Sequence, residues 1–74
     1  MKFIETKYGL IKKEAVTGLI REKGQYPWNG ETHYDIAVHL QGTEVRLMFD
    51  SESERSEELN RIAKELERKD YQDD

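Results

Sequence analysis

The chain reads as an α+β protein: a four- to five-stranded antiparallel β-meander packed on one C-terminal amphipathic α-helix. Three observations predict this. Apolar and polar residues alternate from Thr32 to Phe49, helical spacing replaces that alternation after Asp50, and short extended stretches punctuated by glycine come before residue 32. At 74 residues the chain is long enough for one domain, near the lower end of what folds alone. Residues 1–69 are expected to form that domain, with 70–74 a frayed C-terminal tail.

The first third is the least patterned. Lys2–Lys7 suits a short strand ended by Gly9, Leu10-Ile11 a strand fragment before a Lys12-Lys13-Glu14 turn, and Ala15–Glu22 a further strand. Gly18 inside that strand marks a bulge or a close backbone approach. Lys23–Glu31 is then the longest connection, with Gly24, Pro27 and an Asn29-Gly30 turn signal.

The middle is the clearest. Thr32, Tyr34, Ile36, Val38 and Leu40 fall on one side of a strand, with His33, Asp35, Ala37 and His39 on the other, the period of a half-buried strand. Gln41-Gly42 signals a turn, although Gln is a poor first residue for type I′. Pairing Leu40 with Thr43 sets Val38 against Val45, Ile36 against Leu47 and Tyr34 against Phe49, all apolar. The other face receives His39–Glu44, Ala37–Arg46, Asp35–Met48 and His33–Asp50. A one-residue slip would set apolar residues against polar ones, so this register is strongly specified.

After Phe49 the period changes. Ser51-x-x-Glu54 is a capping box, and Leu59, Ile62, Ala63 and Leu66 form the stripe of an amphipathic helix running from about Ser51 to about Lys69. Glu57, Arg61, Glu65 and Lys69 form a charge ladder on another face, and acids at the start with bases at the end suit the helix dipole. Short connections favour neighbouring antiparallel strands, and the helix stripe is expected to cover the apolar sheet face.

Gly9-Leu10-Ile11, Ala15-Val16-Thr17-Gly18 and Val45–Glu58 carry a resemblance in order and patterning. They resemble a class of short, mostly uncharacterised bacterial and phage proteins built from an antiparallel meander and a C-terminal helix. The resemblance covers most of the chain and implies the fold. It brings no catalytic motif with it.

Charge is uneven. Residues 1–23 hold six basic and three acidic residues, and residues 24–74 six basic and thirteen acidic, for a net −4. An acidic surface disfavours phosphate backbones, so nucleic acid is not the expected partner, even though Lys12-Lys13, Arg21 and Lys23 precede Tyr26 and Trp28. The absence of cysteine suits a reducing compartment and removes thiolate chemistry and Cys-rich zinc patterns. No apolar block of signal-peptide or membrane-span length occurs, so a soluble cytoplasmic protein without membrane association is expected.

No hydrolase, phosphate-loop or H-E-x-x-H motif is present, and Ser51, Ser53 and Ser56 are explained by the helix start. His33 and Asp35 are roughly 7 Å apart along a strand, but His39 lies roughly 20 Å from His33. No catalytic residue, metal ligand or cofactor is therefore expected. The loop Gln25–Gly30 holds the sole Trp and the sole Pro. Trp28 there is either a contact residue of the kind enriched at binding hot spots or a cap folded back over the core.

The expected function is a non-enzymatic binding module with a protein partner. Its candidate binding residues are Tyr26, Trp28 and Asn29 on the loop and His33, Asp35, His39, Arg46 and Met48 on the outer strand face. A homodimer is a further expectation, with Ala37 and Met48 packing against a second copy. The alternative function is a phage or mobile-element inhibitor, or a ligand-sequestering protein, acting on a host defence or regulatory factor.

Overall fold

The alternating stretch folds into the hairpin its apolar residues demand. In the computed structural model, which describes residues 3–67, β4 (Thr32–Leu40) pairs with β5 (Thr43–Phe49) through Leu40–Thr43, Val38–Val45, Ile36–Leu47 and Tyr34–Phe49. These are the pairs expected from patterning. Gly42 takes a left-handed conformation at φ 79° and no non-glycine residue among those described has positive φ, so the turn is not type I′. The Gln41 amide instead donates to the Ala15 carbonyl at 3.1 Å, tying the turn to the segment before the next strand.

The strand that Ala15 leads into is β3 (Val16–Gln25), which pairs antiparallel with β4 on its other side. The expected bulge is present: Val16 faces Leu40 and Gly18 faces His39, leaving Thr17 as the extra residue, its hydroxyl donating to the His39 carbonyl at 3.2 Å. β3 runs three residues beyond the expected end at Glu22, so the connection shortens to 26–31. The reason is lateral pairing with β4, which continues through Lys23–Tyr34, Gly24–His33 and Gln25–Thr32.

The first two strands form their own sheet, a hairpin of β1 (Phe3–Thr6) and β2 (Gly9–Lys12). The five strands thus divide into a two-stranded and a three-stranded antiparallel sheet. A short 3-10 turn, Lys13–Ala15, separates them, so the chain enters β3 from a new direction. The hairpin adds to the core through one face, with Ile4, Thr6 and Ile11 buried. Phe3 and Leu10 on its other face are exposed.

Helix α1 (Glu52–Glu67) begins with the serine half of the expected capping box, the Glu54 amide donating to Ser51 Oγ at 3.1 Å. The expected extension to Lys69 and the tail 70–74 lie outside the described residues. Ile62 is buried, with Leu59 and Leu66 packed beside it against Ile36, Val38, Leu47, Phe49, Ile4 and Ile11. α1 packs on β4 and β5. Arg55 falls on the same stripe one turn earlier and is also buried. Its Nη1 donates to the Glu22 carbonyl at 2.9 Å and its guanidinium lies 5.3 Å from the Tyr34 ring centre, while Nε has no partner. Arg61 pairs through Nε and Nη2 with both oxygens of Glu58 rather than with Glu57, and also donates to the Glu5 carbonyl. The molecule is long and thin, 48 × 26 × 17 Å.

Two predictions follow from this packing. Leu47 and Ile62 are 0% and 1% exposed, so Leu47→Asp and Ile62→Asp each place an unpaired charge between sheet and helix. Loss of the native far-UV and near-UV circular dichroism is expected, and native-like melting of either variant would refute the face assignment. The second prediction concerns Glu58, held below the usual carboxylate range by its hydrogen bonds from Arg61, against a weaker opposing effect of burial. A depressed folded pKa gives stability that is present above the unfolded value of about 4.3 and is lost as pH falls through the folded value. Glu58→Gln is therefore expected to cost about 0.2–1 kcal/mol at pH 7, the range of exposed pairs, and nothing once the parent carboxyl is protonated. Urea titrations along a pH series measure the convergence.

Candidate functional site

The face of the three-stranded sheet opposite α1 is built by register. Across β3, β4 and β5 it presents the rows Glu22–Asp35–Met48, Ile20–Ala37–Arg46 and Gly18–His39–Glu44. Three carboxylates and one guanidinium on adjacent strands produce a connected ion network. Arg46 reaches from β5 across β4: its Nη1 bonds Glu22 on β3 and Asp35 Oδ2 at 3.2 Å, and its Nη2 bonds Glu44 Oε2 at 3.1 Å. These bonds, Glu22 first and Asp35 second, raise the Arg46 pKa above its ordinary value.

The second oxygen of Asp35 bonds His33 Nδ1 at 2.7 Å. An ionised carboxylate only accepts, so the proton then sits on Nδ1. His39 lies 3.6 Å from Glu44 at the other end of the network. Asp35, bonded by Arg46, is 1% exposed, and Ala37, the register partner of Arg46, 0%. Asp35 thus presents almost no surface outside its own chain and bears on the face through the groups it orients. Ala37, expected to pack against a second copy, is covered within its own chain.

The loop after β3 is closed by its own hydrogen bonds. The Tyr26 amide donates to the Glu31 carbonyl, the Gly30 amide to the Tyr26 carbonyl, and the Glu31 amide to Asn29 Oδ1, each at 2.9 Å. The last is an Asx turn, and it employs the Asn29 side chain within the loop. Trp28 is 74% exposed and does not cap the core. Its ring stacks on Tyr26 with centroids 4.9 Å apart and planes at 27°, and Tyr26 in turn packs on His33 at 4.8 Å. Partial burial in this stack, and then the charges of Asp50, Asp35 and Glu31, raise the Tyr26 phenol above its ordinary value.

Of the sequence-expected residues, the structure brings Tyr26, Trp28, His33, Asp35 and Arg46 into one continuous array. His39 joins its far end through Glu44, and the half-buried Met48 stands beside Asp35. Arg21 and Lys23 take register positions opposite Ile36 and Tyr34, on the helix side, so they do not share a face with the aromatic stack.

Sequence reasoning missed Glu22 and Gly24. Extending the period-two count from Gly18 through Ile20 would have placed both on the outer face. Gly24 matters because the His33 ring lies on it: a Cβ there would stand 3.0 Å from His33 Cε1 and Nε2.

A separate shallow groove of about 440 Å3 lies between the Lys7 turn and α1, lined by Lys7, Phe49, Glu54, Glu57, Glu58 and Arg61. Lys7 there donates to the Met48 carbonyl and lies 4.5 Å from the Phe49 ring centre. Among the described residues no three His, Asp or Glu side chains are grouped as metal ligands, and no helix is long and apolar enough to cross a membrane. No known protein family, curated protein or solved structure matches this chain.

The array makes a paired prediction. Gly24→Ala is expected to push the His33 ring off Asp35 and cost about 1–3 kcal/mol, as overpacking does. Gly18→Ala meets nothing within 4 Å, so stability is expected to hold or to rise by up to about 1 kcal/mol. Chemical denaturation ranks the two, and a Gly24→Ala protein as stable as the parent would mean the ring is not held against β3.

Proposed function

We propose that this chain is a non-enzymatic protein-interaction module, and that its working surface is the Trp28 loop with the adjoining outer face of the three-stranded sheet. One observation carries the reading: the sole tryptophan stands 74% exposed on a loop held by three internal hydrogen bonds. An indole offers on the order of 200 Å2, so at roughly 25 cal/mol per Å2 its exposed part represents on the order of 3–4 kcal/mol of burial that the fold leaves unused. A ring already fixed by stacking loses little further freedom when a partner covers it. Exposed, pre-ordered tryptophan is the residue type most enriched among binding hot spots.

The surrounding groups suit recognition. Arg46 is occupied by three carboxylates, and His33 is held by Asp35 and Tyr26. The sheet face is thereby a stiff, charged floor beside an apolar anchor, the arrangement of a hot spot with a polar rim. The basic residues Arg21 and Lys23 lie on the other side of the sheet, which favours a protein partner over a nucleic acid.

Trp28→Ala is expected to leave the melting temperature unchanged while abolishing capture of the partner. Affinity capture with parent and variant, read by mass spectrometry, tests this. A captured set identical for both proteins would overturn the assignment. Sedimentation equilibrium of the purified parent distinguishes self-association, since a mass above 8.8 kDa that falls with Trp28→Ala would make the partner a second copy.

A further inference from the structure

The aromatic stack is asymmetric. Tyr26 packs against both His33 and Trp28, and the indole is 74% exposed, so the stack ends in an open indole face. The field around that face is negative. Glu31 closes the same loop and Asp50 follows β5, and neither has a cation partner among the described residues. Beyond them lie Glu22, Asp35 and Glu44, three carboxylates sharing the single guanidinium of Arg46. Asp50 follows Phe49, the register partner of Tyr34, at the level of His33, Asp35 bonds the His33 ring, and both charges act with Glu31 on the Tyr26 phenol in the stack. The turn carrying Tyr8 also approaches the phenol, and its Lys7 donates to the Met48 carbonyl with its charge retained.

We infer that the free face of Trp28 receives an arginine or lysine side chain from a basic segment of a protein partner, with Glu31 and Asp50 flanking the cation. This rests on the interaction-module reading and adds the chemistry of the partner. Charge complementarity selects the occupant. A cation over an indole is attracted by the negative ring face, and unpaired carboxylates beside the ring strengthen that attraction. A phosphate meets the same carboxylates as repulsion. A guanidinium has the further advantage of being planar, so it can lie on the indole as a next layer of the stack while its edge donates to a carboxylate.

Trp28 is the sole tryptophan, so its fluorescence reports contact at this face directly. The probes are short peptides of alternating glycine and arginine, glycine and glutamate, or glycine and serine. Binding is followed by Trp28 emission and, with labelled peptide, by anisotropy. The glycine–arginine peptide is expected to change Trp28 emission saturably, more weakly as salt is added. Trp28→Ala is expected to weaken its anisotropy-measured binding by about 2–5-fold, the scale of one exposed cation–π contact. Trp28→Phe should retain part of the affinity, and the double variant Glu31→Gln, Asp50→Asn should lose affinity with the indole still in place.

An unchanged emission with the arginine peptide, an equal response to the glutamate peptide, or binding indifferent to Trp28→Ala overturns the inference. So does Trp28-dependent binding of an oligonucleotide in place of the basic peptide. If Trp28-dependent capture of a protein persists while the arginine peptide leaves the indole unaffected, this inference falls and the interaction-module reading stands. If neither depends on Trp28, both fall.

Discussion

β4 is hydrogen-bonded on both sides, and every other element is arranged by which way its side chains point. Ile36 and Val38 face α1 and the hairpin, while Asp35 and Ala37 face away, and all four are buried. A slip of one residue would put the Asp35 carboxylate under the helix and Ile36 against Arg46. The first error costs several kilocalories per mole, because an unpaired buried charge is penalised, and the second takes from Arg46 the Asp35 carboxylate it bonds. The ion network on the outer face therefore helps specify the strand register, together with the apolar pairs on the inner face. A salt-bridged cluster adds little net stability for its size. Its contribution here is to exclude the alternative pairing.

The core that β4 anchors is small, and polar staples supplement it. Lys7, Arg55 and Arg61 each send a long side chain to a main-chain carbonyl on another element: Met48 of β5, Glu22 of β3 and Glu5 of β1. A single such bond is worth about 1 kcal/mol net, yet each ties together two elements that share little apolar contact. Arg55 has the central place among them. It occupies the helix stripe where an apolar residue would only reach β4, and its length carries the contact out to β3. Its stem packs apolar neighbours while the guanidinium finds the Tyr34 ring and a carbonyl, as long cationic side chains do at the margin of a core.

Legibility in the sequence followed coverage. β4, β5 and α1 are covered by one another, so their apolar residues must recur at the period of the element, and their register and start could be read directly. β3 runs past the helix. Its inner positions there are Arg21, Lys23 and Gln25, residues that need no cover, and no alternation marked the strand's end. The face of Gly24 could be counted from Gly18, but its contact with His33 could not, because that contact is across strands and nothing local to Gly24 records it. The division into two sheets turned on a three-residue 3-10 turn with no buried residue, which leaves no hydrophobic signature. Arg55 was legible in principle, since 55, 59, 62 and 66 share one helical stripe, but a charged residue is read as solvent-facing by default.

The candidate site grows out of that same lack of cover. Gly24–His33 and Gln25–Thr32 pair without a third strand beside them, so the loop they carry projects beyond β5. Freed from the packing demands of the core, it is shaped by its own hydrogen bonds and by the ring stack, and both lead back to β4 through His33. Asp35 holds His33, His33 supports Tyr26, and Tyr26 supports Trp28. A residue buried in the middle of the sheet therefore sets the position of the most exposed aromatic ring among the described residues. Order is transmitted outward from the one strand of this sheet paired on both sides, and the indole at the end of that series of contacts is both displayed and supported. Those two properties rarely coincide on a surface loop, where exposure ordinarily brings mobility.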